Sequence, residues 1–186
     1  MPPQQAISRK AAAAATRTKL IEAGLRLAER TGLTGLSVNL LVDEAGVSKG
    51  SFFHHFGDRA SYLLALHREF HDGIAQDIDQ AIAGIPPGRD RLMTGARVYL
   101  DTCLRQRGIR ALLLEARAEP AVAQEITRRN ADFARKFKPD FDALGRHHPL
   151  ESAQLLAAMT AEAALIELGT GSAMEPVRAA LAEFIR

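Results

Sequence analysis

Between residues 49 and 55 the chain runs Lys49-Gly50-Ser51-Phe52-Phe53-His54-His55. A cation, a glycine, a hydroxyl, two aromatic rings and two imidazoles are thus packed into about two turns of helix. Phe52 and Phe56 are four apart and fall on one face, which leaves Lys49, Ser51, Phe53, His54 and His55 on the other. That second face suits contact with a nucleic acid. Lys49 supplies a charge for a phosphate, and Ser51 and His54 are short donors and acceptors for base edges or phosphate oxygens. The amides near Ser48, Lys49 and Gly50 open a helix and so favour an anion. Gly50 permits close backbone approach, and an outward Phe53 has a use against a thymine methyl or a sugar.

Two histidine pairs raise the question of metal chemistry. His54 and His55 are adjacent, point about 100° apart on a helix and do not readily share one ion. His67 and His71 lie i, i+4 with Glu69 between them, a spacing compatible with a metal, and Glu115 or Glu119 could complete such a site. The His-Glu order of the zinc hydrolases is absent. A metal-dependent enzyme on this helix is therefore kept as an alternative, while the expectation is no metal, no cofactor and no catalytic residue.

The elements needed to hold the 49–55 face follow from helical periodicity. Ile21, Leu25 and Ala28 form a stripe with Leu20 and Leu27 beside it, giving a helix from Thr18 that stops at Thr31-Gly32. Ser37 is an N-cap before Val38, Leu41, Val42 and Ala45. Gly46 ends that helix in a tight turn, Val47 plugs the angle, and Ser48 caps the next helix. Two short helices meeting in this way form a helix-turn-helix, whose second helix enters the major groove. Asp58 caps a long helix from about Arg59 to Ile82, closed by Gly84-Ile85-Pro86-Pro87-Gly88. Further helices are expected at about 89–106, 109–117, 120–138, 151–169 and 175–186. The fold class is all-α with about nine helices. Residues 1–17, rich in Pro, Gln and Ala with Arg9 and Lys10, are expected to be a loose basic arm.

The bulk of the chain limits the alternatives. Its 186 residues are 47% hydrophobic and 25% charged, ordinary for a globular protein with a buried core. The lone Cys103 leaves no internal disulfide framework and points to a reducing cytoplasm. Neither a signal peptide nor an apolar run of membrane-spanning length is seen, so no membrane partner is expected. Residues 1–60 hold eight Lys/Arg against five Asp/Glu, whereas the remainder holds sixteen against seventeen. The excess of positive charge sits in the amino-terminal part of the chain, which fits nucleic-acid contact at that end.

Ala45-Gly46-Val47-Ser48-Lys49-Gly50-Ser51-Phe52-Phe53-His54-His55-Phe56, followed by Arg59 and Leu63, resembles the amino-terminal domain of the tetracycline-repressor (TetR) family over about Thr18 to Leu66. The resemblance implies a DNA-facing set of Ser37, Ser48, Lys49, Gly50, Ser51, Phe53, His54, His55 and Arg59. It implies a helix-turn-helix domain over 18–63 and an effector-binding, dimerising domain over 64–186. Phe53 stands where the family often has tyrosine, Val42 where alanine is usual, and Asn39 where arginine is frequent; the base contacts are expected to be the chain's own at these positions.

The implied partners are a palindromic double-stranded DNA operator, a small hydrophobic effector and a second copy of the chain. For the dimer, the last two helices offer Leu156, Thr160, Ala164 and Leu168 on one stripe and Val177, Ala180, Leu181, Phe184 and Ile185 on another. For the effector, His67, His71, Met93, Tyr99, Cys103, Leu113, Phe133 and Phe137 are mostly apolar with a few hydrogen-bonding groups. The expected function is a dimeric repressor released by its effector; a DNA-bound regulator that senses no small molecule is the other alternative.

Overall fold

A computed structural model describes residues 3–31 and 36–185, with side chains from Lys10 to Arg30 and Leu36 to Ile185. Among these residues there are nine α-helices, one 3-10 turn and no strand, as the periodicity predicts. The helices are α1 (Pro3–Thr31), α2 (Val38–Ala45), α3 (Lys49–Phe56), α4 (Arg59–Ile82), α5 (Arg89–Arg105), α6 (Arg107–Glu115), α7 (Pro120–Ala143), α8 (Pro149–Thr170) and α9 (Glu175–Glu183). None of them is long and apolar enough to cross a membrane.

Several boundaries differ from expectation, among them three with a clear local cause. α1 begins at Pro3, not Thr18, so the segment expected as a loose arm is helical. The five alanines at 11–15 explain this, because alanine is the best helix former and needs no apolar stripe. α7 continues through Pro139 to Ala143. Proline removes one backbone bond but leaves Phe137 and Phe141 buried on one face, and that burial holds the last turn in place. α8 starts at Pro149, a residue suited to the first helical turn. α1 is helical to Thr31, and the expected stop at Thr31-Gly32 falls at the edge of the described residues.

The chain forms two compact units that are not consecutive in sequence. One comprises residues 1–70 and 108–122, the other 71–107 and 123–186. In the first, Leu20, Leu27, Leu41, Phe52, Tyr62, Leu63 and Leu66 form a fully buried core. The Tyr62 hydroxyl donates to the Leu20 carbonyl at 2.8 Å, and burial pushes its pKa above the usual phenol value. α6 belongs to this unit because Gly108 presses on α1. A Cβ there would stand 2.3 Å from the Glu29 Cα, and the amides of Gly108 and Ile109 donate to Glu29 Oε1. Only glycine allows so close an approach.

In the second unit, Ile74, Ile78, Leu92, Leu100, Phe137, Phe141, Ala153, Leu156 and Ala164 are buried. Its buried charges are paired. Asp140 accepts from Arg91 Nε and Nη2 at 2.8 and 2.7 Å and from the Gly88 amide, so one carboxylate ties α7 to the start of α5. Glu167 on α8 accepts from Arg178 Nε and Nη2 at 2.7 and 2.9 Å and from the Met174 amide. Arg178 also reaches Asp101 on α5 at 2.6 Å. The Arg178 guanidinium holds the Glu167 carboxyl below its ordinary pKa despite burial.

Candidate nucleic-acid interface

The short helices α2 and α3 owe their angle to local chemistry. Ser37 sits in extended backbone and its side chain accepts from the Leu40 amide at 3.2 Å. Gly46 closes α2 in the left-handed conformation (φ 63°, ψ 39°), a region that any side chain would strain. The Val47 amide donates back to the Val42 carbonyl at 3.0 Å, which fixes the turn with Val47 half-buried. Ser48 repeats the cap: its Oγ accepts from the Ser51 amide at 3.1 Å and lies 2.9 Å from Ser51 Oγ. Asp58 caps α4 through the Ser61 amide at 2.7 Å, which lowers the Asp58 carboxyl pKa.

α3 is held from one side by rings. Phe52 and Phe56 are buried, with centroids 5.2 and 4.9 Å from that of Tyr62. Its other side is open. Lys49, Gly50, Phe53 and His54 are exposed, and Ser51 and His55 are half-buried. Phe53 is 46% exposed, stacked edge-on against Phe52 at 5.4 Å. Among the described residues a Cβ on Gly50 would meet only Ser48 Oγ, at 3.8 Å, so no packing among them requires a glycine there. Burial lowers the His55 pKa, with further lowering from the charges of His54 and Arg17, which favours the neutral ring at neutral pH.

Of the expected DNA-facing set, Ser37, Ser48, Lys49, Gly50, Phe53 and His54 are exposed and Ser51, His55 and Arg59 half-buried, with two qualifications of role. Ser37 and Ser48 use their hydroxyls as caps. Arg59 is half-buried, and its Nε donates to the Leu36 carbonyl at 3.3 Å, so it also ties α4 to the start of α2. Asn39 and Phe53 are exposed, but Val42 is buried, so the valine at 42 is a packing change rather than a place for a base contact.

One residue of this surface was missed from sequence. Arg17 on α1 is exposed and lies 5.5 Å from the centre of the Phe56 ring. It adds positive charge beside α3, yet in sequence it reads as one more solvated residue of an amphipathic helix. Glu44 of α2 is bound by Arg26 Nε at 2.9 Å and Arg30 Nη2 at 2.6 Å, which fixes α2 to α1 and lowers the Glu44 pKa.

The expected ligand-facing residues are not all in one unit. His67 and Leu113 are buried in the first. His71, Met93, Tyr99, Cys103, Phe133 and Phe137 are in the second. There Cys103 and Phe137 are buried, the other four are half-buried, and the Phe133 and Phe137 rings are 4.5 Å apart. Phe137 also lies against Gly95 of α5. Among the described residues no three His, Cys, Asp or Glu side chains gather where they could hold one metal ion, so the His67/His71 pair acquires no further ligand there.

The all-α chain thus carries a capped helix-turn-helix on an aromatic base. Residues 20–66 match the tetR family of bacterial regulatory proteins. The HTH-type transcriptional repressor AcnR of Corynebacterium efficiens is 34% identical over 65 residues, which are 35% of this chain and 35% of AcnR. The chain spans about a third of the length of the curated relatives it matches. Over nearly its full length it shares the fold of solved regulators. A TetR-family transcriptional regulator from a Rhodococcus species superposes with a TM-score of 0.77 at 21% identity, covering 91% of this chain and 96% of that one. The multidrug binding protein EbrR, solved with imidazole, gives 0.74 at 24% identity, covering 91% and 93%. In residues 20–66 the chain is thus similar to the amino-terminal domain of the tetR family.

Proposed function

We propose that the protein is a dimeric DNA-binding transcriptional regulator, acting in the cytoplasm as a repressor that a small molecule releases from a palindromic operator. The observation that carries this reading is the open face of α3. Lys49, Gly50, Phe53 and His54 are exposed there beside the half-buried Ser51, and together they combine charge, close backbone approach and hydrogen-bonding capacity beside the capped start of a helix. The matched relatives support it, since AcnR is named as a repressor. The 18–63 segment is the DNA-reading domain in this proposal, and 64–186 carries dimerisation and effector response.

The dimer reading is supported by α8 and α9. Leu155 is 64% exposed, Ile166 42% and Phe184 63%, although α8 is already buried along Leu156, Thr160 and Ala164. Those three residues, with Leu181 and Ile185, were expected at the dimer seam; they pack inside the chain instead. The open stripe is the opposite side of α8: Leu155, Ala158, Met159, Glu162 and Ile166. A helix apolar on every side needs a second partner. A copy of the same face meets the requirement, and a two-fold dimer suits a palindrome whose half-sites lie about one turn of DNA apart.

The effector reading rests on Met93, Tyr99, Cys103, Phe133 and Phe137, whose apolar and aromatic surface in α5 and α7 suits a hydrophobic molecule. The test is a gel shift with the purified full-length chain and the intergenic DNA beside its own gene. Retarded DNA containing a near-palindrome, competed poorly by unrelated DNA, is expected. A chain that ignores this DNA at low salt overturns the reading.

A further inference from the structure

Arg110, on α6, is 3% exposed. Its Nε and Nη2 are both shielded from solvent, and neither has a hydrogen-bond partner among the described residues. A guanidinium does not lose its proton in a protein, so burial cannot be relieved by neutralisation. Removing such a charge from water without a counter-charge is strongly unfavourable.

The rest of the chain shows what this edge is for. Nε and Nη2 form one side of the guanidinium fork. Arg91 gives the same two atoms to the carboxylate of Asp140, Arg178 gives them to Glu167, and Arg128 gives them to Glu125. All three carboxylates are buried. Arg110 presents the same edge, more enclosed than any of these, with no carboxylate of the described chain on it. Glu29, the carboxylate that reaches the start of α6, is taken by the amides of Gly108 and Ile109. The residues around Arg110 on its helix, Ile109, Leu112 and Leu113, are buried and apolar.

We infer that Arg110 is a ligand-binding residue whose Nε/Nη2 edge takes the carboxylate of a small organic acid with an apolar body. A planar carboxylate matches the fork with two parallel bonds. α6 lies in the same compact unit as α1–α3 and is pressed on α1 through Gly108, so the bound acid would act on the DNA-reading unit from within. This last consequence rests on the regulator reading above; the binding site does not.

The test uses the full-length protein with hexanoate, decanoate and benzoate, each paired with its uncharged amide, and with inorganic phosphate, followed by thermal shift and calorimetry at constant ionic strength. At least one acid is expected to bind once per chain and to raise the melting temperature, because it binds only the folded form. Its amide, and the acid with Arg110→Met, should bind at least about 30-fold more weakly, the loss expected when one partner of a buried charge pair is removed. Arg110→Lys keeps the charge without the fork and should fall between. Without ligand, Arg110→Met should melt above the native protein, since an unfilled buried charge has been replaced by an apolar chain of similar length.

Acids and amides that bind alike, acid binding undiminished in Arg110→Met, no acid binding at all, or a ligand-free Arg110→Met that melts lower would each overturn the inference. A shift by phosphate alone would overturn the assignment to carboxylates. If an acid binds through Arg110 while leaving operator affinity unchanged, the site stands and its regulatory consequence fails.

Discussion

α3 and the α8–α9 pair both show large apolar side chains to water, but in different company. On α3, Phe53 stands alone among Lys49, Ser51 and His54, beside a helix start capped by Ser48. On α8, Leu155 and Ile166 continue an apolar surface broken only by Glu162, and Phe184 follows just after α9. A polar face with one ring suits a charged, grooved partner, because affinity comes from phosphates and discrimination from a few side chains. A broad apolar face suits a partner of the same kind, because its affinity comes from area removed from water. The two surfaces therefore answer to different variables. Salt should weaken what α3 binds far more than what α8 binds.

The largest effect should come from charging the apolar face. Leu155→Glu combined with Ile166→Glu is expected to turn the dimer into a monomer by analytical ultracentrifugation, and to abolish palindrome binding while helical content stays native. An undisturbed dimer would move the seam elsewhere. Next comes the clamp that holds α9 on α8. Arg178→Met leaves Glu167 buried without its partner and should cost about 3 kcal/mol or more of stability in denaturant unfolding. The same pair sets an acid limit. The Glu167 pKa is lowered by folding, so its contribution is present above the ordinary carboxylate range and is lost as pH falls through the folded value. Glu167→Gln should flatten that acid loss of melting temperature.

Smaller effects belong to α3. Lys49→Ala should weaken DNA binding roughly tenfold on all sequences and reduce the salt slope by about one, without changing dimerisation. A variant equally weakened in the dimer would erase the contrast between the two faces. The mildest change is Phe53→Tyr. It restores a hydroxyl at an exposed position and should tighten operator binding by a few-fold at most, about 0.5–1.5 kcal/mol for one hydrogen bond, in a fluorescence anisotropy titration.

Much of the architecture was legible along the chain. α2, α3 and α4 begin and end where Ser37, Gly46, Ser48, Gly57 and Asp58 say they should, because caps and left-handed turns are local events. The inner and outer faces of α3 followed from the four-residue spacing of Phe52 and Phe56. The arginines were not legible. Arg17, Arg110 and Arg178 look alike as letters, and each adjoins apolar residues in an amphipathic helix. One lies over a ring at the surface, one is enclosed with its fork unfilled by described residues, and one joins three helices.

The sequence by itself determined the helices, their caps, the helix-turn-helix and the side of α3 that faces outward, since all of these depend on residues within about two turns of each other. Only the tertiary structure decided that α6 packs on α1, through contacts some eighty residues apart between Gly108 and Glu29. It alone decided which stripe of α8 is spent on the chain's own core and which is left exposed. Helical periodicity says that a face is apolar; what covers it depends on packing among elements distant in the chain, and an all-round apolar helix such as α8 gives periodicity nothing to choose between.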